Sequence, residues 1–316
     1  MNNKLAYQQA AELITSEKKV ALVSHEFTDG DDLGSMLSVA EMLARRGITA
    51  VPIARGGVPD NLIFLPGSHT VLEEPPKEEF PLVVFFGCGQ FSRPGFPDWD
   101  VSKSKILNID HHVGNDLFGN VNLVDEKAAA VCELVYELFL RMHEKITKSV
   151  AINLLTGIFT DTGGFRHANT TARILEIAAD LVRKGARIDR IAEHSFGKSN
   201  VSKLHAWGRA LANIKFDPEK KMIYTIVTEE ELAGLGATPD DLDGIASILS
   251  TVPEAKFAML LRQRGDEVRG SLRSEQYHGI DVSEIARSYG GGGHKLAAGF
   301  KFKGKLEHLP QGWKIT

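Results

Sequence analysis

Three consecutive residues, Asp110-His111-His112, close the short apolar run Ile106-Leu107-Asn108-Ile109. A strand that ends in a carboxylate and two imidazoles concentrates its polar chemistry at one sheet edge, where open parallel α/β sheets bind ligands. The N and O donors suit Mn²⁺, Zn²⁺ or Mg²⁺. Adjacent histidines on a surface turn need no ligand, so the triplet alone is an incomplete signal.

A second cluster follows the apolar run Val20-Ala21-Leu22-Val23: His25, Asp29, Asp31 and Asp32, in the stretch His25-Glu26-Phe27-Thr28-Asp29-Gly30-Asp31-Asp32. Asp29 and Asp31 lie two apart across a glycine, so a turn can aim both at one point. An acidic helix start accounts for one or two of these acids. It does not account for His25. A third cluster, Thr160-Asp161-Thr162-Gly163-Gly164, closes an apolar helical stretch that begins near Val150. A carboxylate at a helix C-terminus is unfavourable against the dipole, so Asp161 calls for a compensating partner such as a metal. The fourth is Tyr289-Gly290-Gly291-Gly292-Gly293-His294-Lys295. Four glycines cost backbone entropy, yet their amides can approach a ligand closely and form a phosphate nest, with His294 and Lys295 adding positive charge.

Strand patterns at 19–24, 50–54, 82–86 and 105–109 alternate with a helix at 33–46, which implies a parallel sheet. An amphipathic helix is expected at 4–17, and others at 128–142, 147–160, 171–184 and 201–212. The polar stretch Gly197-Lys198-Ser199-Asn200 suggests a hinge. Beyond it come a strand at 221–227, a helix near 239–251, strands at 256–262 and 267–273, a helix at 281–288, the glycine loop and a last strand. The expected division is residues 1–196, a linker region 197–215, and a smaller second α/β domain at 216–316.

The 316 residues are 43% hydrophobic and 25% charged, ordinary for a globular chain. A net charge of −4 argues against long duplex DNA as a partner and leaves room for a short oligonucleotide held by metals and a few basic groups. The two cysteines, Cys88 and Cys132, sit in or beside apolar runs. They read as buried small hydrophobes in a reducing, cytoplasmic compartment. No apolar run approaches the roughly 18 residues of a membrane span, and the polar N-terminus does not read as a signal peptide.

The four clusters, in this order, resemble the DHH phosphoesterase superfamily with a C-terminal DHHA1 domain, from about Ala21 to Lys303. Phe165-Arg166-His167-Ala168-Asn169-Thr170-Thr171 and Ser271-Leu272-Arg273-Ser274 resemble the branch of small bacterial nanoRNA hydrolases that also dephosphorylate 3′-phosphoadenosine 5′-phosphate. The resemblance implies a parallel-sheet DHH domain, a DHHA1 domain across a cleft, and two divalent ions, Mn²⁺ with Mg²⁺ as the alternative. His25 and Asp29 would hold one ion, and Asp31, His111 and Asp161 the other. Asp110 would orient His111, and His112 would face the scissile phosphate. Ser271, Arg273, the Gly291, Gly292 and Gly293 amides and His294 would bind the substrate's other phosphate or terminal nucleotide. The substrate would be a short oligonucleotide or a nucleotide bisphosphate; a homodimer is compatible with this reading.

One departure matters. The family carries an aspartate after the next strand that bridges both ions, and the alignment of Cys88-Gly89 and Ser92-Arg93 places Gly87 there. Gln90 falls where another acid is common. A bridging carboxylate screens two dications about 3.5–4 Å apart, so its loss weakens the expected second ion and opens another reading: a member that binds nucleotide or a protein partner with little hydrolysis. Asp32, where the family has a small apolar residue, is a candidate compensating ligand. Two ligands on one ion and three on the other imply unequal affinity, and Gly87→Asp is the expected rescue.

Overall fold

The computed structural model describes residues 3–26, 28–195, 201–309 and 312–315; the stretch 197–200 read as a hinge lies outside them. The chain divides into two units, Met1–Lys198 and Ser199–Thr316.

The first unit runs α1 (Asn3–Ile14), β1 (Lys19–Ser24), α2 (Gly30–Arg45), β2 (Thr49–Ile53), β3 (Leu82–Phe86), β4 (Lys105–Asp110), β5 (Val121–Val124), α3 (Val131–Arg141), α4 (Lys148–Asp161), α5 (Ala172–Arg183) and α6 (Ile188–Ser195). Its strands form one sheet in the order β2-β1-β3-β4-β5, and every pair in it is parallel. Parallel sheets are covered on both faces, and the alternation in β1 shows it. Val20 and Leu22 pack into a cluster with Leu33, Met36 and Leu154. Ala21 and Val23 pack on the other face with Phe80, Phe85 and Cys88. The order reverses between β1 and β3, a topological switch point at whose strand ends such sheets form a ligand crevice. Ser24 pairs with Phe86 and Phe86 with Ile109, so His25, Gly87 and Asp110 leave three adjacent strands side by side.

Helices α2 and α4 pack with their backbones close. A Cβ at Gly34 would lie 2.4 Å from the Asn153 carbonyl oxygen, and one at Gly157 would lie 2.3 Å from Cys132 Sγ and 2.8 Å from Asp31 Cα. These two glycines let the segment bearing Asp31 lie against the helix that ends in Asp161.

The second unit comprises α7 (Val201–Ala212), β6 (Lys215–Asp217), β7 (Met222–Val227), α8 (Glu229–Ala233), α9 (Ile245–Leu249), β8 (Phe257–Arg264), β9 (Glu267–Arg273), α10 (Val282–Ser288), β10 (Gly292–His294), β11 (Ala297–Lys303), β12 (Leu306–Leu309) and β13 (Gly312–Ile315). Its mixed sheet has the order β10-β11-β9-β8-β7-β6. Part of the 197–215 stretch is thus helix α7, whose Ala206 and Ala210 belong to this unit's core. The single helix expected near 239–251 is divided. A 3-10 turn at Pro239–Leu242 is followed by extended Asp243 and by Gly244 at φ +97°, before α9.

The glycine run is not an open loop. The Gly290 and Gly291 amides donate to the Arg287 and Ala286 carbonyls, 3.0 and 2.9 Å, closing α10. Gly292 then starts β10, paired with Gly299 of β11. A Cβ at Gly291 would lie 2.1 Å from Gly299 O, and one at Gly293 would lie 2.5 Å from Ala298 Cα. Close strand packing is therefore one reason for glycine at both positions. The Gly291 amide is spent on the helix and does not serve a phosphate nest.

Candidate metal centre

Asp29 caps α2: its Oδ1 accepts from the Asp31 and Asp32 amides at 3.0 and 3.1 Å. That leaves Oδ2 to face His25 Nε2 at 4.0 Å. The His25 ring is fixed from behind, with Nδ1 2.7 Å from the Glu26 carbonyl. Nδ1 is thereby assigned the proton, and Nε2 points into the cluster. Asp32 Oδ2 lies 2.6 Å from that nitrogen. The first set therefore has three members, His25, Asp29 and Asp32, with donor atoms all within 4.8 Å of one another. Asp32, the candidate compensating ligand of the sequence reading, lies with the two residues assigned there, because the first turn of α2 brings it back toward the end of β1.

The second set is Asp31, His111 and Asp161, within the same limit. His111 Nε2 is 3.4 Å from Asp161 Oδ2 and 3.9 Å from Asp31 Oδ2. The His111 ring is held by the Ala128 carbonyl, 3.1 Å from Nδ1. Asp110 does not orient it, contrary to the sequence expectation. Asp110 is fully buried, and its Oδ1 accepts from His112 Nδ1 at 2.6 Å and from the His111 and His112 amides. The backbone turn after β4 carries the next ring but one, His112, back over the carboxylate. Asn115 completes the arrangement, donating to Asp110 Oδ2 at 2.5 Å and to the Cys88 carbonyl at 3.2 Å. It ties the β3 end to the β4 end, and nothing in the local sequence marks it.

Asp31 has a second task. Its Oδ2 and Oδ1 accept from the Val131 and Cys132 amides at 2.6 and 2.8 Å. Ala130 at the start of α3 offers no side-chain cap, so Asp31 supplies one from a hundred positions upstream. Helix N-termini favour negative charge, which helps hold this buried carboxylate ionised.

Four aspartates gathered in little space resist ionisation. Burial and the neighbouring Asp31, Asp29 and Asp32 push Asp161 well above the usual carboxylate range. Burial raises Asp31, with His111 opposing. Burial and Asp29 raise Asp32 to about 7. Burial disfavours the His25 cation, but Asp32 and Asp29 outweigh it and bring His25 to about 9. At Asp110 burial is outweighed by His112 and Asn115, and the carboxyl is held below its usual range. Burial likewise opposes the His112 cation, yet Asp110 raises its pKa. The donors fit divalent cations. Each set offers one imidazole nitrogen and two carboxylates, a mixture suited to first-row dications. Asp32 Oδ2 is buried and faces only the His25 ring among the charged partners of the described residues.

Asp161, Asp31, Asp32, His25 and His112 are shifted upward, and Asp110 alone of these is shifted downward. Each acid or imidazole raised above its unfolded value stabilises the fold at low pH and loses that contribution as pH rises through its folded pKa. For Asp32 and His25 the window runs from the ordinary 3.8 of aspartate to about 9. In chelator the unfolding midpoint should fall by several degrees from about pH 6 to about pH 9, at roughly 2–4 °C per kcal/mol for a unit this size. Saturating Mn²⁺ should remove the fall, since metal binding replaces the protons. A midpoint that stays flat in chelator would count against this electrostatic picture.

In the second unit, β9 carries Ser271 and Arg273. The register sets Arg273 opposite Ala297, and Ala297 opposite His294. Ser271 lies opposite Gly299, and Gly299 opposite Gly292. Among the described residues no carboxylate pairs with the half-buried Arg273, whose Nη1 donates to the Leu272 carbonyl at 2.9 Å.

Two His/Asp/Asp sets at the strand ends of the switch point mark a class of α/β proteins suited to hold metal ions. Residues 19–158 match the model of the DHH family, N-terminal domain, and residues 219–312 match the DHHA1 domain. The chain belongs to the DHH family. It is 30% identical to the bifunctional oligoribonuclease and PAP phosphatase NrnA of Thermus thermophilus, over 91% of this chain and 85% of that protein. The NrnA of Bacillus subtilis is 28% identical over 89% and 88%. A solved exopolyphosphatase-related protein from Bacteroides fragilis superposes with a TM-score of 0.89 at 26% identity, over 96% of this chain and 92% of that one. RecJ of Thermus thermophilus in complex with Mn²⁺ shares the fold, with a TM-score of 0.53 at 16% identity over 94% of this chain and 51% of that one.

Proposed function

We propose that this protein is a phosphoesterase dependent on divalent cations, with Mn²⁺ the ion it uses. Its substrates are very short oligoribonucleotides and the nucleotide bisphosphate PAP. The observation that carries the reading is the pair of His/Asp/Asp sets at the β1/β3 switch point, beside the Asp110–His112 couple. The activities named for the two NrnA relatives support the substrate class. His25, Asp29 and Asp32 would hold one ion and Asp31, His111 and Asp161 the other. When bound, the cations supply positive charge that offsets what develops on the phosphoryl oxygens. Asp110 fixes the His112 ring and favours its protonated form. His112 is thereby suited to donate a hydrogen bond, and then a proton, to an oxygen of the scissile phosphate. Arg273, a half-buried guanidinium with no carboxylate partner among the described residues, is assigned to a substrate phosphate. Ser271 and Gly292, in adjoining register, are assigned to the same end; the side chain of His294, read from the sequence as their partner, lies outside what the structure describes.

Turnover of a diribonucleotide, a pentaribonucleotide and PAP should appear with Mn²⁺, vanish with EDTA and return when Mn²⁺ is restored. A folded protein that releases neither mononucleotide nor phosphate with Mn²⁺ or Mg²⁺ would refute the proposal.

A further inference from the structure

We infer that Asp32 is the cation ligand that replaces the acid absent from the end of β3, so that the carboxylate has moved from position 87 to position 32. Gly87 has φ +60°, and a Cβ there would lie 1.8 Å from Asp32 Oδ1, 2.5 Å from its Cγ and 2.7 Å from its Oδ2. The Asp32 carboxylate thus occupies the volume into which a side chain at 87 would project. Its own side chain is 3% exposed. Oδ2 faces His25 Nε2 at 2.6 Å, the nitrogen donor of the same set. In the metal-free protein the protonated His25 ring is the charge that offsets this buried carboxylate, and a cation held between the two would take its place.

The local structure explains how position 32 can take this task. Asp29 Oδ1 holds the Asp32 amide, so the first turn of α2 is fixed and the side chain is aimed across the switch point. Glycine at 87 then has two reasons. It accepts the left-handed backbone without strain, and it leaves the space open. An aspartate at 87 and an aspartate at 32 are mutually exclusive in this geometry. The two positions, 55 apart in sequence, must therefore exchange together. Gly87→Asp alone, read from the sequence as a rescue, instead drives a side chain into Asp32.

The inference rests on the two-cation reading above, but its test measures cation binding rather than turnover. Mn²⁺ would be titrated at fixed pH by calorimetry, and free Mn²⁺ followed by electron paramagnetic resonance. The proteins are the unaltered chain, Asp32→Asn, Asp32→Ala, Gly87→Asp and Asp32→Ala/Gly87→Asp. Asp32→Asn and Asp32→Ala should each weaken one of two Mn²⁺ sites by about 10–100-fold or more. Gly87→Asp alone should bind no better than the unaltered chain and unfold at lower temperature. The double variant should regain most of the affinity lost in Asp32→Ala, since aspartate tolerates the left-handed conformation better than most residues. Unaltered Mn²⁺ affinity and stoichiometry in the near-isosteric Asp32→Asn would overturn the inference. So would a folded double variant that binds no better than Asp32→Ala. If the double variant does not fold, Asp32→Asn decides. An unaltered chain that binds no Mn²⁺ overturns the two-cation reading itself, a result distinguishable from the other two.

Discussion

Asp31→Ala is expected to remove hydrolysis and, separately, to destabilise the first unit even when no metal is present. The catalytic loss follows from removing a donor of the Asp31, His111 and Asp161 set. A cation's charge on a phosphoryl oxygen is worth several kcal/mol, which at 1.36 kcal/mol per decade is on the order of 10³-fold in rate. The loss of stability has another origin. Asp31 accepts from the Val131 and Cys132 amides at the start of α3, and alanine leaves both buried donors unmatched. At roughly 1–3 kcal/mol for each orphaned group, about 3 kcal/mol should be lost, or a fall of about 6–12 °C in the unfolding midpoint. The measurement is thermal unfolding in EDTA beside turnover in Mn²⁺. A variant inactive in Mn²⁺ that melts like the unaltered chain in EDTA would show that the α3 cap contributes nothing. Asp31→Asn keeps one acceptor and should lie between the two in stability while losing similar activity.

Gly34→Ala, a change that adds one methyl group at a residue that supplies no ligand atom, should cost about 3 kcal/mol or more and reduce cation affinity. Ordinary overpacking costs about 1–3 kcal/mol because neighbours yield. Here the neighbour is the Asn153 carbonyl oxygen, 2.4 Å from the added Cβ, and it belongs to the hydrogen-bonded backbone of α4. The helices must separate. Asp31 lies one turn before Gly34 on α2, and Asp161 lies two turns beyond Asn153 on α4, so separating them widens the second donor set. Gly208→Ala serves as the contrast. It is an exposed helical glycine with nothing within 4 Å of a new Cβ, and it should stabilise by about 0.5–1 kcal/mol. If Gly34→Ala melts within a degree of the unaltered chain, the close approach of α2 and α4 is not what positions Asp31.

The class of fold and the chemical character of the site are legible in the order of residues along the chain. Short apolar runs such as Val20–Val23 and Leu82–Phe86, the second bounded by Pro81 and Gly87, read as strands covered on both faces. Helical periodicity marked the main helices, α1 to α5 and α7. The residues at the strand ends, His25, Asp110 and His111, were legible because acid and imidazole seldom follow an apolar run without a task. Short elements were not legible: β5, α6, β6 and α8 are too brief to carry a period, and tertiary packing selects them. Nor was it legible which carboxylate serves which partner. Asp31 and Asp32 are adjacent on one helix, yet Asp31 reaches the α3 amides and the second donor set while Asp32 turns to His25 and the space over Gly87. Asp110 holds His112 rather than His111 because the backbone turn after β4 brings that ring over it. Residue type and spacing report local preference and burial. Where a side chain points depends on backbones that meet across about a hundred residues of chain, through contacts such as Gly34 on Asn153 and Gly157 on Asp31, and no local pattern encodes those meetings.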